Sequence, residues 1–262
     1  MKSILVTFWA ECLKVRKSKV FWLSIVFFVF VSFMMGLIMF VQIHPEISQK
    51  FGMIGTKASL LRFGEPNWQN YLTLLLQVIG GIGMVGFGFI TSWVFGREYT
   101  DNTIKDIIAL PVSRSSVVIS KLIVVILWSI LLTCIFLISS IVFGHLAGIS
   151  GWTGKILSQF LYKYTIATLL TILLCTITSF FASYGKGILL PIGVIILTMI
   201  IANFTGLVGL GPYFPWAIPE LFCSPPGTED IHLNIASYMI LISTSILGLI
   251  GTLAWWQYAD QK

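Results

Sequence analysis

The chain has 262 residues, of which 57% are hydrophobic and only 10% are charged, with a mean hydropathy of +0.95 and a formal net charge of +6. An ordinary soluble domain is roughly 25% charged, and here the apolar residues run in blocks of about twenty or more, so a water-soluble fold is excluded and lipid is the solvent. The positive charge does not point to nucleic acid, because the basic residues gather at the ends of the apolar blocks, as they do at a membrane surface.

Residues 1–19 predict an amphipathic helix. Ile4, Leu5, Phe8, Trp9, Cys12 and Leu13 recur as adjacent pairs, while Lys2, Thr7, Glu11, Lys14 and Lys17 fall largely elsewhere on the wheel. Too polar to span, it is expected along the inner leaflet, with Phe8, Trp9 and Leu13 in the headgroup boundary and Lys14 toward anionic lipid. The alternative is an unstructured basic leader.

Charge gaps and turn residues then divide residues 20–256 into six spans, at about 20–43, 71–95, 117–143, 164–183, 188–210 and 233–256. At about 1.5 Å of rise per residue each can cross a hydrocarbon core of about 30 Å. The first is too long for the apolar region of a cleaved signal peptide. Six spans put both termini on one side, the side that collects Lys2, Lys14, Arg16, Lys17, Lys19, Arg97, Lys105, Arg114, Lys121, Lys186 and Lys262. Only Lys50, Lys57, Arg62, Lys155 and Lys163 fall opposite, so both termini and the tail, 257–262, are expected in the cytoplasm.

Within the second span Gly81, Gly83 and Gly86 spell a dinucleotide-binding fingerprint without the soluble strand and helix it needs, so these glycines, with Gly80 and Gly88, are expected to admit a neighbouring helix. Gly154 and Lys155 lack the other residues of a phosphate loop, and Asn203, Phe204 and Thr205 form a glycosylation tripeptide too common to carry weight. Cys12, Cys134, Cys175 and Cys223 lie far apart, in no pattern suited to zinc. His44, His145 and His232 sit at outer ends of spans, no catalytic cluster converges, and the span cores are expected to hold essentially no buried charge, which weighs against an ion-driven transporter. The outer element at 211–232 carries Pro212, Pro215, Pro219, Pro225 and Pro226 among Phe214, Trp216, Ile218, Leu221 and Phe222. It is either a short re-entrant or interfacial hairpin or an ordinary loop.

The segment 96–114 holds six charges between Arg97 and Arg114. It reads as a short helix outside the membrane: Thr103 and Asp106 resemble a capping box, Ile104, Ile107, Ile108 and Leu110 make one apolar side, and Pro111 stops the run. A solvated loop is the plainer alternative.

These residues carry a resemblance. Glu98, Thr103, Ile107, Ile108, Pro111, Arg114 and Lys121 occupy the places where permease subunits of type 2 ABC exporters have Glu, Gly-Thr, paired aliphatics, Pro, a basic residue and a later Lys, with Asn102 where Gly is common. The six spans, the N-terminal helix and the proline-rich element extend the resemblance over nearly the whole chain. It implies an all-α polytopic membrane protein in a bacterial cell membrane, whose segment 96–114 is a coupling helix docking into a separate ABC ATPase subunit, present in two copies. Glu98, Thr103 and Asp106 would supply polar contacts there, and Ile104, Ile107, Ile108, Leu110 and Pro111 the apolar contact. ATP and Mg would be bound by that partner and no cofactor by this chain. A second permease copy, or a homologous permease, would complete the path. Compact permeases of this layout resemble bacterial ones serving export of, or immunity to, peptide antibiotics such as bacitracin and lantibiotics, which implies an amphiphilic peptide or drug as substrate. A membrane-embedded immunity or binding protein without an ATPase is the second reading, and a membrane enzyme the least supported.

Overall fold

A computed structural model of the chain describes residues 2–44, 46, 64–104, 106, 111–224 and 233–259. Among these residues the fold is helical without strands: α1 (Lys2–Arg16), α2 (Lys19–Ile43), α3 (Trp68–Thr100), α4 (Arg114–Leu146), α5 (Gly154–Tyr184), α6 (Leu189–Leu207), a 3-10 turn (Gly211–Tyr213), α7 (Ile218–Cys223) and α8 (Ile235–Tyr258). Six of them, α2 to α6 and α8, are long and apolar enough to cross a membrane. The protein is an all-α, multi-pass membrane protein.

Local chemistry sets the helix starts. The side chains of Ser18, Asn67, Ser113 and Thr153 each accept a hydrogen bond from the backbone N–H three residues on, and Asn234 forms a reciprocal capping box with Ser237. Thr153 starts α5 ten residues ahead of the span expected from hydropathy at 164, because Lys155, Lys163 and their polar neighbours depress the average without interrupting the helix. With 31 to 33 residues, α3, α4 and α5 exceed the roughly 20 residues that a bilayer core requires, and so must tilt or project beyond it.

α3 and α5 form the central pair, flanked by α8 on α5, α2 on α4, and α6 across both central helices. Lipid offers helices no hydrophobic drive to associate, so small residues and hydroxyls must hold them. The α5–α8 seam shows how. A Cβ on Gly248 would lie 2.7 Å from Ile177 Cα, so the two backbones touch. Around that contact Thr176 Oγ1 donates to Ser245 O at 2.7 Å, Ser179 and Thr252 share a hydrogen bond at 2.9 Å, and Trp256 Nε1 donates to Ser183 Oγ at 2.9 Å. Elsewhere Tyr71 donates to Ser140 O, Tyr164 to Thr133 O, and Ser140 to Ser32.

The glycines of α3 divide by neighbour. Gly86 lies under the Phe28 ring, Gly88 under Ile195 and Gly80 against the backbone of Pro219 and Glu220, whereas Gly81 faces open space. The Gly80 contact locates the proline-rich element: α7, with Ile218, Pro219 and Cys223 buried, folds back against the second span instead of lying in solvent. Protein therefore covers part of its irregular backbone, which a segment within the hydrocarbon would require. Residues 225–232 of that element lie outside the described residues.

The seam yields a paired test. Gly248→Leu must separate two touching backbones and is expected to destabilise by about 1–3 kcal/mol or more, read as a lowered unfolding midpoint of the detergent-solubilised protein. Gly81→Leu, at open space, is expected to leave that midpoint unchanged.

Candidate functional site

At the end of the bundle where α1 meets α3 and α4, five charged side chains converge. Glu11 and Lys14 come from α1, Arg97 and Glu98 from the last turn of α3, and Lys121 from the second turn of α4. The Lys121 side chain is fully buried, and Glu11 and Glu98 nearly so. Its ammonium lies 2.7 Å from the Glu98 carboxylate and 3.2 Å from Glu11 Oε2, and donates to Val94 O at 3.0 Å. All three of its protons thus have acceptors, the condition for a lysine to stay charged out of water. Glu11 also receives Lys14 at 2.7 Å and Arg97 at 3.1 Å, and Lys14 bridges on to Glu98 at 3.1 Å. The Arg97 guanidinium lies over the Trp93 ring at 4.5 Å. Three cations against two carboxylates leave one net positive charge.

Burial alone would push the Glu11 carboxyl above its ordinary range, but Lys121, Lys14 and Arg97 together hold it below. Lys14 is shifted up, since Glu11 and Glu98 outweigh the cost of its partial burial.

This arrangement bears on two expectations. Lys121 is a buried charge, but it lies near the end of the third span, in the ion cluster, and not in the span core. The polar stripe of α1 is divided: Thr7 and Glu11 turn into the protein, with Thr7 bonded to Ser120 at 2.6 Å, while Lys14 and Lys17 are exposed, as are Leu5, Val6 and Trp9. Of the residues assigned to the membrane boundary, Trp9 is 66% exposed and Leu13 is exposed. Phe8 packs partly against the core, and Lys14 belongs to the ion cluster.

The segment from Glu98 onward begins with a defined turn. Thr103 N–H donates to Glu98 O at 2.9 Å and Asn102 N–H to Tyr99 O at 3.3 Å, with Asn102 left-handed at φ 57°. That pattern is a Schellman motif, in which glycine is usual and asparagine is the side-chain-bearing residue best able to substitute. Asn102 therefore preserves the turn. Of the residues expected to form the coupling surface, Glu98 is 2% exposed and turned inward, so its carboxylate serves the ion cluster and offers no open contact. Thr103, Asp106 and Pro111 are exposed and Ile104 is buried. Ile107, Ile108 and Leu110 lie outside the described residues.

The sequence does not single out Glu11 and Arg97 as site residues. Their only signal is a lone carboxylate among the basic residues of 1–19 and the adjacency of Arg97 to Glu98; which face of α1 docks is a tertiary fact. Among the described residues no group of His, Cys, Asp and Glu could hold a metal.

Two expectations follow for the cluster. Lys121→Met leaves two buried carboxylates short of a partner and is expected to cost about 3–5 kcal/mol, measured as a fall in detergent unfolding midpoint well beyond that of Lys14→Met. Because Glu11 is held below its ordinary value, its contribution is present above the unfolded carboxyl range and is lost as pH falls through the depressed value. Because Lys14 is raised, its contribution is present below the ordinary lysine range and is lost as pH climbs through the raised value. Stability scanned against pH should therefore show a plateau around neutrality, and Glu11→Gln should flatten its acid limb.

Residues 7–203, about three quarters of the chain, match the family model described as ABC-2 family transporter protein. The chain is 28% identical over 207 residues to the bacitracin transport permease protein BCRB of Bacillus licheniformis, covering 76% of this chain and 94% of that protein. No solved structure gives a significant match.

Proposed function

Because the chain belongs to the ABC-2 family of transporter proteins, and is thus a multi-pass transport permease and not an enzyme, we propose that it is the membrane subunit of an ATP-driven exporter coupled to a separate ATPase. The buried cluster of Glu11, Lys14, Arg97, Glu98 and Lys121 carries this reading. It joins the interfacial helix to the ends of α3 and α4, the two spans that bracket segment 96–114. A force applied to that segment by a partner meets a rigid anchor instead of a frayed helix end.

In this reading two ATPase copies hold ATP and Mg and close on them. Their motion reaches the permease through Thr103, Ile104, Asp106, Ile107, Ile108, Leu110 and Pro111, with Glu98 bracing the segment from inside. A second permease copy, identical or homologous, completes the path. The ligand must bind the two states of the path with different affinity, or ATP could not drive it across. Both termini lie in the cytoplasm, the protein resides in the cell membrane, and α1 rests on the inner leaflet with Trp9 and Leu13 in lipid. The likeness to a bacitracin transport permease, together with apolar spans lacking free charge, supports an amphiphilic peptide antibiotic or drug as substrate.

Purification in mild detergent from the native host tests this directly. An ATPase subunit is expected to accompany the wild-type chain and to be lost from Ile107→Asp and Ile108→Asp, while cells lacking the gene become several-fold more sensitive to bacitracin or a related membrane-active peptide. A chain recovered alone from several detergents with ATP present, and protection that survives energy depletion, would replace the exporter with an immunity protein that sequesters its target.

A further inference from the structure

Arg114 is poorly placed for its own helix. It opens α4, where the unpaired N–H groups carry partial positive charge and favour an acidic side chain, yet the first turn of α4 has no acidic residue. The opposite end of another helix explains it. Arg114 Nη1 donates to Trp256 O at 3.2 Å and to Gln257 O at 3.3 Å, carbonyls in the last turn of α8 that have no partner within their helix. A cation there satisfies two orphan acceptors and complements the negative end of the α8 dipole. Gln257 answers with a bond from Nε2 to Ser115 Oγ at 2.7 Å, so α4 and α8 are tied in both directions.

Trp256, whose carbonyl Arg114 holds, is buried where four helices meet. Its Nε1 donates to Ser183 Oγ near the end of α5, and its ring meets Tyr99, the neighbour of Glu98 on α3, edge-on at 6.4 Å. From there the hydroxyl seam continues up α8 through Thr252 and Ser245 against α5. The ion cluster fastens segment 96–114 to α1; this second set of contacts fastens its far end to α8 and α5.

We propose that Arg114 is a positioning residue for transport, a joint through which displacement of segment 96–114 is passed to the last span by way of Trp256. The inference rests on the ATP-driven reading given above. The joint is built of hydrogen bonds to backbone carbonyls, so it transmits both pull and push along α8, whatever side chains the path presents to its ligand.

The test uses the permease together with its ATPase subunit in lipid nanodiscs, in a background with the four native cysteines replaced. Spin labels at Gln69 and Ile235 report the separation of α3 and α8 at the end of the bundle remote from Arg114. In the otherwise unaltered complex, ATP is expected to shift that separation. Arg114→Gln should leave ATP hydrolysis within about twofold while reducing the shifted population about tenfold, and Arg114→Lys, which keeps a cation at the α8 terminus, should restore part of it. Trp256→Phe, which keeps the ring but removes the donor to Ser183, should also diminish the shift, and it decides the matter if Arg114→Gln does not fold. An undiminished shift in a folded Arg114→Gln complex overturns the inference. So does a parallel loss of hydrolysis and shift, which would make Arg114 part of ATPase docking. Absence of any ATP-dependent shift in the unaltered complex instead removes the ATP-driven reading, and the joint with it.

Discussion

A fully buried lysine ammonium is tolerable only where every proton has an acceptor and carboxylates balance its charge, and that requirement organises one whole end of this protein. Lys121 reaches Glu98 on α3, Glu11 on α1 and the carbonyl of Val94. The three helices cannot separate without breaking the ion pairs of a buried charge, at a cost of several kcal/mol. α1 is therefore part of the bundle. It is held by part of its polar stripe and presents an apolar stripe outward, the reverse of an amphipathic helix on a water-soluble domain.

The remainder of the bundle is assembled by gentler means. Hydroxyls bonded across helices, and glycines that admit a neighbouring backbone, replace the hydrophobic drive that lipid withholds. The α5–α8 seam and the contact of Gly80 with α7 both depend on small residues at single positions, and each brings a main chain close to another. Around Gly248 hydrogen bonds between Thr176 and Ser245 and between Ser179 and Thr252 reinforce the approach. Such joints bring backbones into contact yet are modest in energy.

Segment 96–114 is tethered at both ends to different parts of this frame. Its beginning is a Schellman turn on Glu98, inside the ion cluster; its end is Arg114, on the terminus of α8. In the ATP-driven reading proposed above, displacement of that segment would pass into both parts of the frame, whereas an isolated loop would dissipate it in its own backbone.

The sequence by itself determined the solvent, the six spans, the amphipathic first helix and the family, because these depend on composition, on the period of apolar residues and on a linear order of Glu, Thr, aliphatics, Pro and basic residues. It also marked Asn102 as a departure in the turn, which the left-handed backbone there accommodates. Tertiary structure decided which way each charged residue turns. Glu98 reads in sequence as an open polar contact of segment 96–114, and Lys121 as the later Lys of the family pattern at a span end. Only the packing of α1 across α3 and α4 makes them a buried pair. Likewise Arg114, unfavourable at the start of its own helix, is explained by the carbonyls of a helix more than a hundred residues away in sequence. Helical periodicity specifies that two faces exist; which face meets protein depends on partners distant in the chain, and no local pattern records them.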